Sequence, residues 1–124
     1  MTDTLHRILP QAQKPARYVG GEYNQIVKDK KNVDVRVAFC FPDTYEIGMS
    51  NIGMRILYGL MNEMPGVWCE RVFAPWGDME EQMRAHAIPL YALESHDPVK
   101  AFDLIAFTIG YEMSYTNILN MLEL

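Results

Sequence analysis

Two polar segments of this sequence combine residue types from which a ligand site can be built. The first, residues 42–51, supplies a carboxylate, hydroxyl groups, an amide and a glycine in Asp43, Thr44, Tyr45, Gly48, Ser50 and Asn51. The second, residues 110–114, supplies Gly110, Tyr111 and Glu112. Such groups can hydrogen-bond a small molecule, and a glycine lets a ligand approach the backbone closely. The sequence has no CxxC pair and no HExxH motif, so it predicts no metal-ligand set, and we assign no catalytic residue.

Each of the two segments follows a predicted strand. Residues 33–41 read VDVRVAFCF, a β-branched and aromatic run that ends at Pro42. Residues 104–109 read LIAFTI, and this continuous apolar run is typical of a central parallel strand buried on both faces. Residues 67–73 predict a further strand with similar composition. The polar segments therefore lie where two strands end.

Helices are predicted between and after these strands. A first helix begins near Ser50 or Asn51, which are both favourable N-caps, and ends at Pro65-Gly66. A second helix, residues 78–87, begins with the spacing of a capping box. A last helix begins at Ser114. Alternating strands and helices predict an α/β fold, a Rossmann-like, flavodoxin-like doubly wound parallel sheet with the first strand in a central position.

The winding of such a sheet predicts where a ligand binds. In open α/β sheets the site lies outside the carboxyl ends of the strands, at the point where the strand order reverses. This rule selects residues 42–51 and 110–114, although it identifies no ligand. Residues 88–93 predict at most a short edge strand. Three main strands are few for this fold and the last helix has no C-cap signal, so we expect the domain to be incomplete at its C-terminus.

The charge distribution divides the chain into an arm, residues 1–32, and a partial domain, residues 33–124. Six basic and three acidic side chains lie within residues 1–33, whereas the remainder carries five basic and thirteen acidic ones. Pro10, Pro15 and Gly20-Gly21 predict an arm without a core element. The basic arm lies on its own acidic body, contacts another domain or is solvated. An acidic body argues against nucleic acid as the main partner.

The composition is that of an ordinary globular protein, with 49% hydrophobic and 22% charged residues. No apolar run approaches the roughly 18 residues that a membrane span requires, and the N-terminus has no signal-peptide core. We therefore expect a cytoplasmic protein with no membrane partner. The two cysteines, Cys40 and Cys69, lie in apolar segments and are predicted to be buried structural thiols.

The first polar segment carries the pattern Asp43-x-Tyr45-x-x-Gly48, which resembles the Asp-x-His-x-x-Gly motif of cobalamin-binding domains. In that family the histidine is the lower axial ligand of cobalt, the aspartate hydrogen-bonds it, and the glycine lets the nucleotide tail pass the backbone. Asp43 and Gly48 match this pattern. Tyr45 replaces the histidine, and a neutral phenol with a pKa near ~10 is a poor ligand for cobalt.

A wider resemblance covers residues 14–124. The stretches KPARYVGGEYN, FPDTYEIGMSNIGMRILYGLMNE, FAPWGDMEEQMR and FDLIAFTIGYEMSYTNILNMLEL are similar to the N-terminal region of radical SAM proteins with a cobalamin-binding-type domain. The resemblance implies a downstream radical SAM domain as partner, with the [4Fe–4S] cluster and S-adenosylmethionine bound there. The chain itself lacks the CxxxCxxC motif, so we expect it to be non-catalytic within a parent radical SAM enzyme.

Two functions remain open from the sequence. In the first, the chain holds a corrin at the strand ends, facing the radical SAM domain, and the resemblance assigns the contacts to the residues of the two polar segments. In the second, it is a degenerate Rossmann-like module that binds no cofactor and mediates domain or protein contacts. A flavodoxin or receiver domain ranks last, because residues 42–48 are no phosphate loop and residues 108–110, at the end of the third main strand, include no aspartate.

Overall fold

The computed structural model describes residues 2–110 and 114–124 and confirms the predicted α/β architecture. Three parallel strands form an open sheet with helices on both faces. The strands are β1 (Val35–Phe41), β2 (Val67–Phe73) and β3 (Leu104–Phe107). The helices are α1 (Thr2–Ile8), α2 (Tyr45–Met49), α3 (Ile52–Glu63), α4 (Gly77–Ala85) and α5 (Ser114–Glu123). Short 3₁₀ segments connect several of these elements.

The strand order is β2-β1-β3, so the first strand is central as the sequence predicts. Val37 of β1 aligns with Cys69 on one side and with Leu104 on the other. The chain therefore moves from β1 to β2, crosses back over β1 and enters β3. The strand order reverses at β1, which places the segments after β1 and β3 at the predicted crevice.

The sheet separates two apolar clusters. Ala38, Cys40 and Val72 face the cluster that includes α4 and the start of the chain. Phe39 and Cys69 face the other cluster, which α3 covers with Met54. Both cysteines are buried and free, which confirms the prediction of structural thiols.

The first residues contribute to the core, and here the sequence-based expectation of an arm without a core element is wrong. Leu5 and Ile8 of α1 are completely buried, and Leu9 is nearly so. Their i, i+3, i+4 spacing makes one apolar stripe on the helix. Pro10 does not disrupt the helix because it falls in the following 3₁₀ segment, where its fixed φ is tolerated.

Several local expectations also change. Residues 42–51, expected to be a loop up to the next helix, contain α2. Of the two predicted caps of α3, Asn51 is the N-cap, because its side chain accepts from Met54 N, whereas Ser50 is the C-cap of α2. The capping box at residues 78–81 does not form, since Asp78 instead accepts a hydrogen bond from Gln13 N. Residues 88–93 form no strand and make only an isolated bridge between Tyr91 and Pro98. Within the described residues, β3 lies at the end of the sheet rather than at its centre.

The two outer edges of the sheet differ. On the β2 edge the side chain of Asn62 donates to Cys69 O and accepts from Cys69 N. Lys28 donates to Val67 O, and Glu94 accepts from Arg71 N. The backbone groups that another strand would need are thus occupied along much of β2. No described strand pairs with the outer side of β3, where Leu104 and Ile105 are exposed.

None of the helices within the described residues is long and apolar enough to cross a membrane.

Candidate functional site

Tyr45, which the sequence resemblance aligns with an axial histidine, is engaged within the protein. It is the first residue of α2, and its phenol oxygen donates to Glu22 Oε1 over 2.5 Å. Its ring meets the Phe73 ring edge to face, with 5.5 Å between the centroids. Burial and the bond to Glu22 raise the pKa of Tyr45 to about 12, so the phenol stays protonated at neutral pH.

Asp43 and Gly48 have structural roles of their own. Asp43 Oδ1 accepts from Thr44 N, while Asp43 O accepts from Ala74 N at the end of β2. A Cβ on Gly48 would lie 2.0 Å from Cε1 of Phe73. The glycine is therefore required by the close approach of α2 to the Phe73 ring.

The remaining predicted site residues are distributed around the strand ends. Thr44 is buried and directly precedes α2. Ser50 donates from its hydroxyl to Glu46 O at the end of α2, and Asn51 caps α3. Gly110 is exposed beyond β3. Tyr111 and Glu112 lie outside the described residues.

Described residues on either side of the second polar segment meet the first segment or its strand near the carboxyl ends of β1 and β3. Asn117 of α5 donates from Nδ2 to Pro42 O over 2.9 Å. Thr108 N donates to Cys40 O over 3.1 Å. The structure thus brings the exit of β3 beside the first polar segment, as the topology requires.

The strongest polar cluster near Tyr45 was not predicted from the sequence. Arg71 of β2 is 4% exposed and lies between two carboxylates. Its Nη1 and Nη2 donate to the two oxygens of Glu22, at 3.0 and 2.8 Å. Its Nε donates to Glu94 Oε1 over 2.5 Å, and Tyr58 donates to the same oxygen. One buried guanidinium thus links the arm, α3, β2 and residue 94.

The pKa values in this cluster follow from burial and ion pairing. Burial alone would raise the pKa of Glu22, but hydrogen bonds from Arg71 and Tyr45 hold it at about 2. Burial would lower the pKa of Arg71, and the two carboxylates outweigh it and raise the pKa. Burial raises the pKa of Glu94, which has no exposed side-chain surface. Arg71 and Glu22 are therefore both charged at neutral pH.

A groove of about 520 Å³ opens beside this cluster, between residues 22–26 and α3. Its volume lies in the range of small-molecule sites. The walls include Met49, Ile52 and Ile56, and the polar lining includes Glu22, Tyr58 and Arg71. None of the sequence-predicted site residues that the structure describes lines this groove.

A second ionic cluster lies on the opposite face of β2. Arg36 of β1 donates to Glu70 over 2.6 Å and pairs with Asp97 over 2.9 Å. Its guanidinium stacks between the rings of Phe102 and Trp68, at 4.4 and 5.1 Å from their centroids. Glu70 is completely buried, so this cluster also fixes β2 and the segment around residue 97.

A signal for both clusters was present in the sequence. The predicted strand 67–73 reads VWCERVF, in which Glu70 and Arg71 interrupt an otherwise apolar run. Adjacent strand residues point to opposite faces, and a charged residue within a buried strand requires a partner. Glu22 and Glu94 have no comparable signal, because each comes from an irregular segment distant in sequence.

One known protein family matches the chain. Residues 53–124 match the family described as radical SAM proteins, N-terminal, which is more than half of the chain. The chain belongs to this family. No curated protein and no solved structure matches the chain.

Family membership assigns the chain to a radical SAM protein, whose catalytic part holds a [4Fe–4S] cluster and S-adenosylmethionine. The cluster needs cysteine thiolates. The chain has only Cys40 and Cys69, and both are buried in the sheet. The match begins at Gly53, so it does not reach residues 42–51 and says nothing of a corrin.

Proposed function

We propose that this chain is the N-terminal module of a radical SAM protein and serves as a docking domain for the catalytic part, without holding a corrin at residues 42–51. The main support for this proposal is the difference between the two edges of the sheet. Side chains bond the backbone groups along much of the β2 edge, whereas no strand among the described residues pairs with the outer edge of β3, where Leu104 and Ile105 are exposed. An open apolar edge is a template for strand pairing.

The docking surface consists of β3 and the outer face of α5. Leu104 and Ile105 are 53% and 39% exposed and project to opposite faces of the sheet. On α5, Tyr115, Leu119 and Leu122 are more than half exposed and follow i, i+4, i+7 spacing. A strand added beside β3, together with apolar side chains on α5, would cover this surface. The radical SAM part is the proposed occupant, because the family joins such a part to this region.

The residues at the expected lower face of a corrin do not fit that cofactor. The phenol of Tyr45 is directed to Glu22, and Asp43 accepts from Thr44 N rather than from the side chain at position 45. The space beside Gly48 is filled by Phe73. These contacts support a module that keeps the fold and uses the former ligand positions to fix α2 on the sheet.

Hydrogen exchange tests the docking proposal without any mutation. The amides of residues 104–107 should exchange at least about tenfold more slowly in the full-length radical SAM protein than in the 124-residue chain, because pairing protects an edge strand. The amides of β2 are the internal control and should exchange alike in both. Equal rates for β3 in the two proteins would contradict the proposal.

A matched pair of substitutions locates the surface. Leu122→Asp on α5 and Leu60→Asp on α3 replace leucines of nearly equal exposure, 56% and 54%. In the full-length protein we expect Leu122→Asp to speed the amide exchange of residues 104–107. Leu60→Asp should leave that exchange rate unchanged. If Leu60→Asp instead speeds this exchange more than Leu122→Asp does, the interface lies on α3.

Cobalamin titration of the full-length protein, followed by visible absorption, tests whether residues 42–51 hold a corrin. We expect no saturable spectral change. Saturable binding that Tyr45→Phe alters would overturn the proposal and restore the corrin-binding function that the sequence resemblance implies.

A further inference from the structure

Two carboxylates bind Arg71, and they differ in how firmly the fold holds them. Glu94 has no exposed side-chain surface and also accepts from Arg71 N and from Tyr58. Glu22 is 28% exposed and lies on residues 19–32, a segment that we call the strap. Glu22 occupies both terminal nitrogens of the guanidinium, in the paired arrangement that arginine makes with a carboxylate.

The strap is held mainly by polar contacts. Val19, Tyr23 and Val27 are exposed, Tyr23 fully so and Val27 at 60%, whereas Ile26 is half-buried. Ile26 N donates to Tyr58, and Ile26 O accepts from Trp68 Nε1. Because such bonds replace bonds to water, each contributes little net stability. The strap therefore has the character of a segment that opens locally while the core stays folded.

The start of the strap has a natural hinge. Tyr18 is anchored, since its hydroxyl accepts from Trp76 N and its carbonyl accepts from Tyr91. Gly20 and Gly21 follow with φ of +68° and +83°, which other residues rarely adopt. Movement about these glycines would lift Glu22 from Arg71 without disturbing the buried residues of α1, and it would widen the groove, because residues 22–26 form the wall that faces α3.

The groove beside Arg71 offers a place for an apolar chain. Its walls include Ile52 and Ile56, which are 70% and 55% exposed, together with Met49. The polar end of the groove is the Arg71–Glu22 pair. A small molecule with one carboxylate and a short apolar chain has the chemistry of this arrangement.

We propose that Arg71 and the groove along α3 form a binding site for small apolar carboxylates, and that Glu22 of the strap occupies the carboxylate position in the absence of ligand. The external carboxylate takes the two terminal nitrogens of Arg71 and the hydrogen bond from Tyr45. Glu94 stays in place and keeps the guanidinium oriented. The apolar chain of the ligand lies against Ile52 and Ile56.

Because Glu22 competes with the external carboxylate for Arg71, it lowers the affinity of the protein for that ligand. The apparent dissociation constant of the external ligand equals its intrinsic dissociation constant divided by the fraction of molecules in which Arg71 is free of Glu22. Removing the carboxylate of Glu22 should therefore tighten binding, which is the opposite of what loss of a ligand contact does. This change in affinity arises at Arg71 and does not involve the β3 edge.

Isothermal titration calorimetry of the full-length protein with hexanoate, and with acetate as the probe without an apolar chain, tests the site. We expect Glu22→Ala to bind hexanoate at least about tenfold more tightly than the unmodified protein. Acetate should bind more weakly than hexanoate to the same variant, because it leaves the apolar walls uncovered. Ile56→Asp in the Glu22→Ala background should abolish the difference between the two probes.

Glu46→Ala is the matched control, because Glu46 also pairs with an arginine, Arg17, but at an exposed position. It should bind hexanoate as the unmodified protein does. If Glu22→Ala fails to fold by circular dichroism, Glu22→Gln keeps the side-chain volume, removes the charge and decides the question in the same assay. Folded Glu22→Ala or Glu22→Gln that binds hexanoate no more tightly than Glu46→Ala would overturn the proposal.

Discussion

The hydroxyl of Tyr45 donates to Glu22 Oε1 over 2.5 Å and joins two segments that are 23 positions apart in sequence. This bond directs the side chain at the expected axial position toward the strap and toward Arg71 rather than toward solvent at the strand ends. The motif that resembles a corrin site is thus part of an internal polar network.

Gly48→Ala should lower the free energy of unfolding by about 1–3 kcal/mol, because the new methyl group would overlap the buried Phe73 ring. Gly59→Ala is the control within α3, where a Cβ meets no atom within 4 Å. That change should stabilise the helix by about 0.5–1 kcal/mol. Urea denaturation followed by circular dichroism measures both. Equal effects of the two substitutions would contradict the close packing of α2 on β2.

Asn62→Ala should lower the free energy of unfolding by about 2–3 kcal/mol, since it leaves the N–H and C=O of Cys69 without partners. Asn120→Ala removes an amide oxygen that accepts an exposed hydrogen bond from Arg84, and we expect a loss of less than about 0.5 kcal/mol there. Chemical denaturation gives both values. A loss below about 1 kcal/mol for Asn62→Ala would show that water replaces the amide at the β2 edge.

The pKa of Glu22 predicts how acid affects stability. Burial would raise this pKa, but Arg71 and Tyr45 lower it from 4.5 to about 2 in the folded protein. The contribution of Glu22 to stability is therefore complete above pH 4.5 and is lost as the pH falls toward 2.

Acid unfolding of the unmodified protein and of Glu22→Gln checks this linkage. The stability difference between them should be constant from pH 7 to about pH 5 and should shrink at lower pH. A difference that stays constant down to pH 2.5 would mean that Glu22 titrates normally in the folded protein.

The two thiols should be unreactive in the native protein. Burial raises the pKa of Cys40 and of Cys69 to about 12, and the thiolate is the reactive form. Iodoacetamide at pH 8 should add to neither cysteine in native buffer and to both in guanidinium chloride, as read by mass spectrometry. Native alkylation of either residue within an hour would indicate that the sheet opens readily.

Local patterns in the sequence determined the sheet and much of its order. The apolar runs VRVAFCF, VWCERVF and LIAF became the three strands, and the alternation with helices placed β1 at the centre. Asn51 was recognisable as a cap because capping depends on residues within one turn. The role of Leu5 and Ile8 was missed, because the nearby prolines obscured a helix that is stable only when its stripe packs on the sheet.

The tertiary structure alone decided what surrounds the predicted site. Glu22 and Glu94 reach Arg71 from segments 49 and 23 positions away, and no periodicity encodes such a meeting. Gly48 matched a ligand motif by type, yet the fold places Phe73 against it. Secondary structure follows from the spacing of neighbouring residues, whereas an ionic cluster follows from which distant segments the core brings together. For this protein the sequence determined the strands, and the packing decided that Tyr45 binds Glu22.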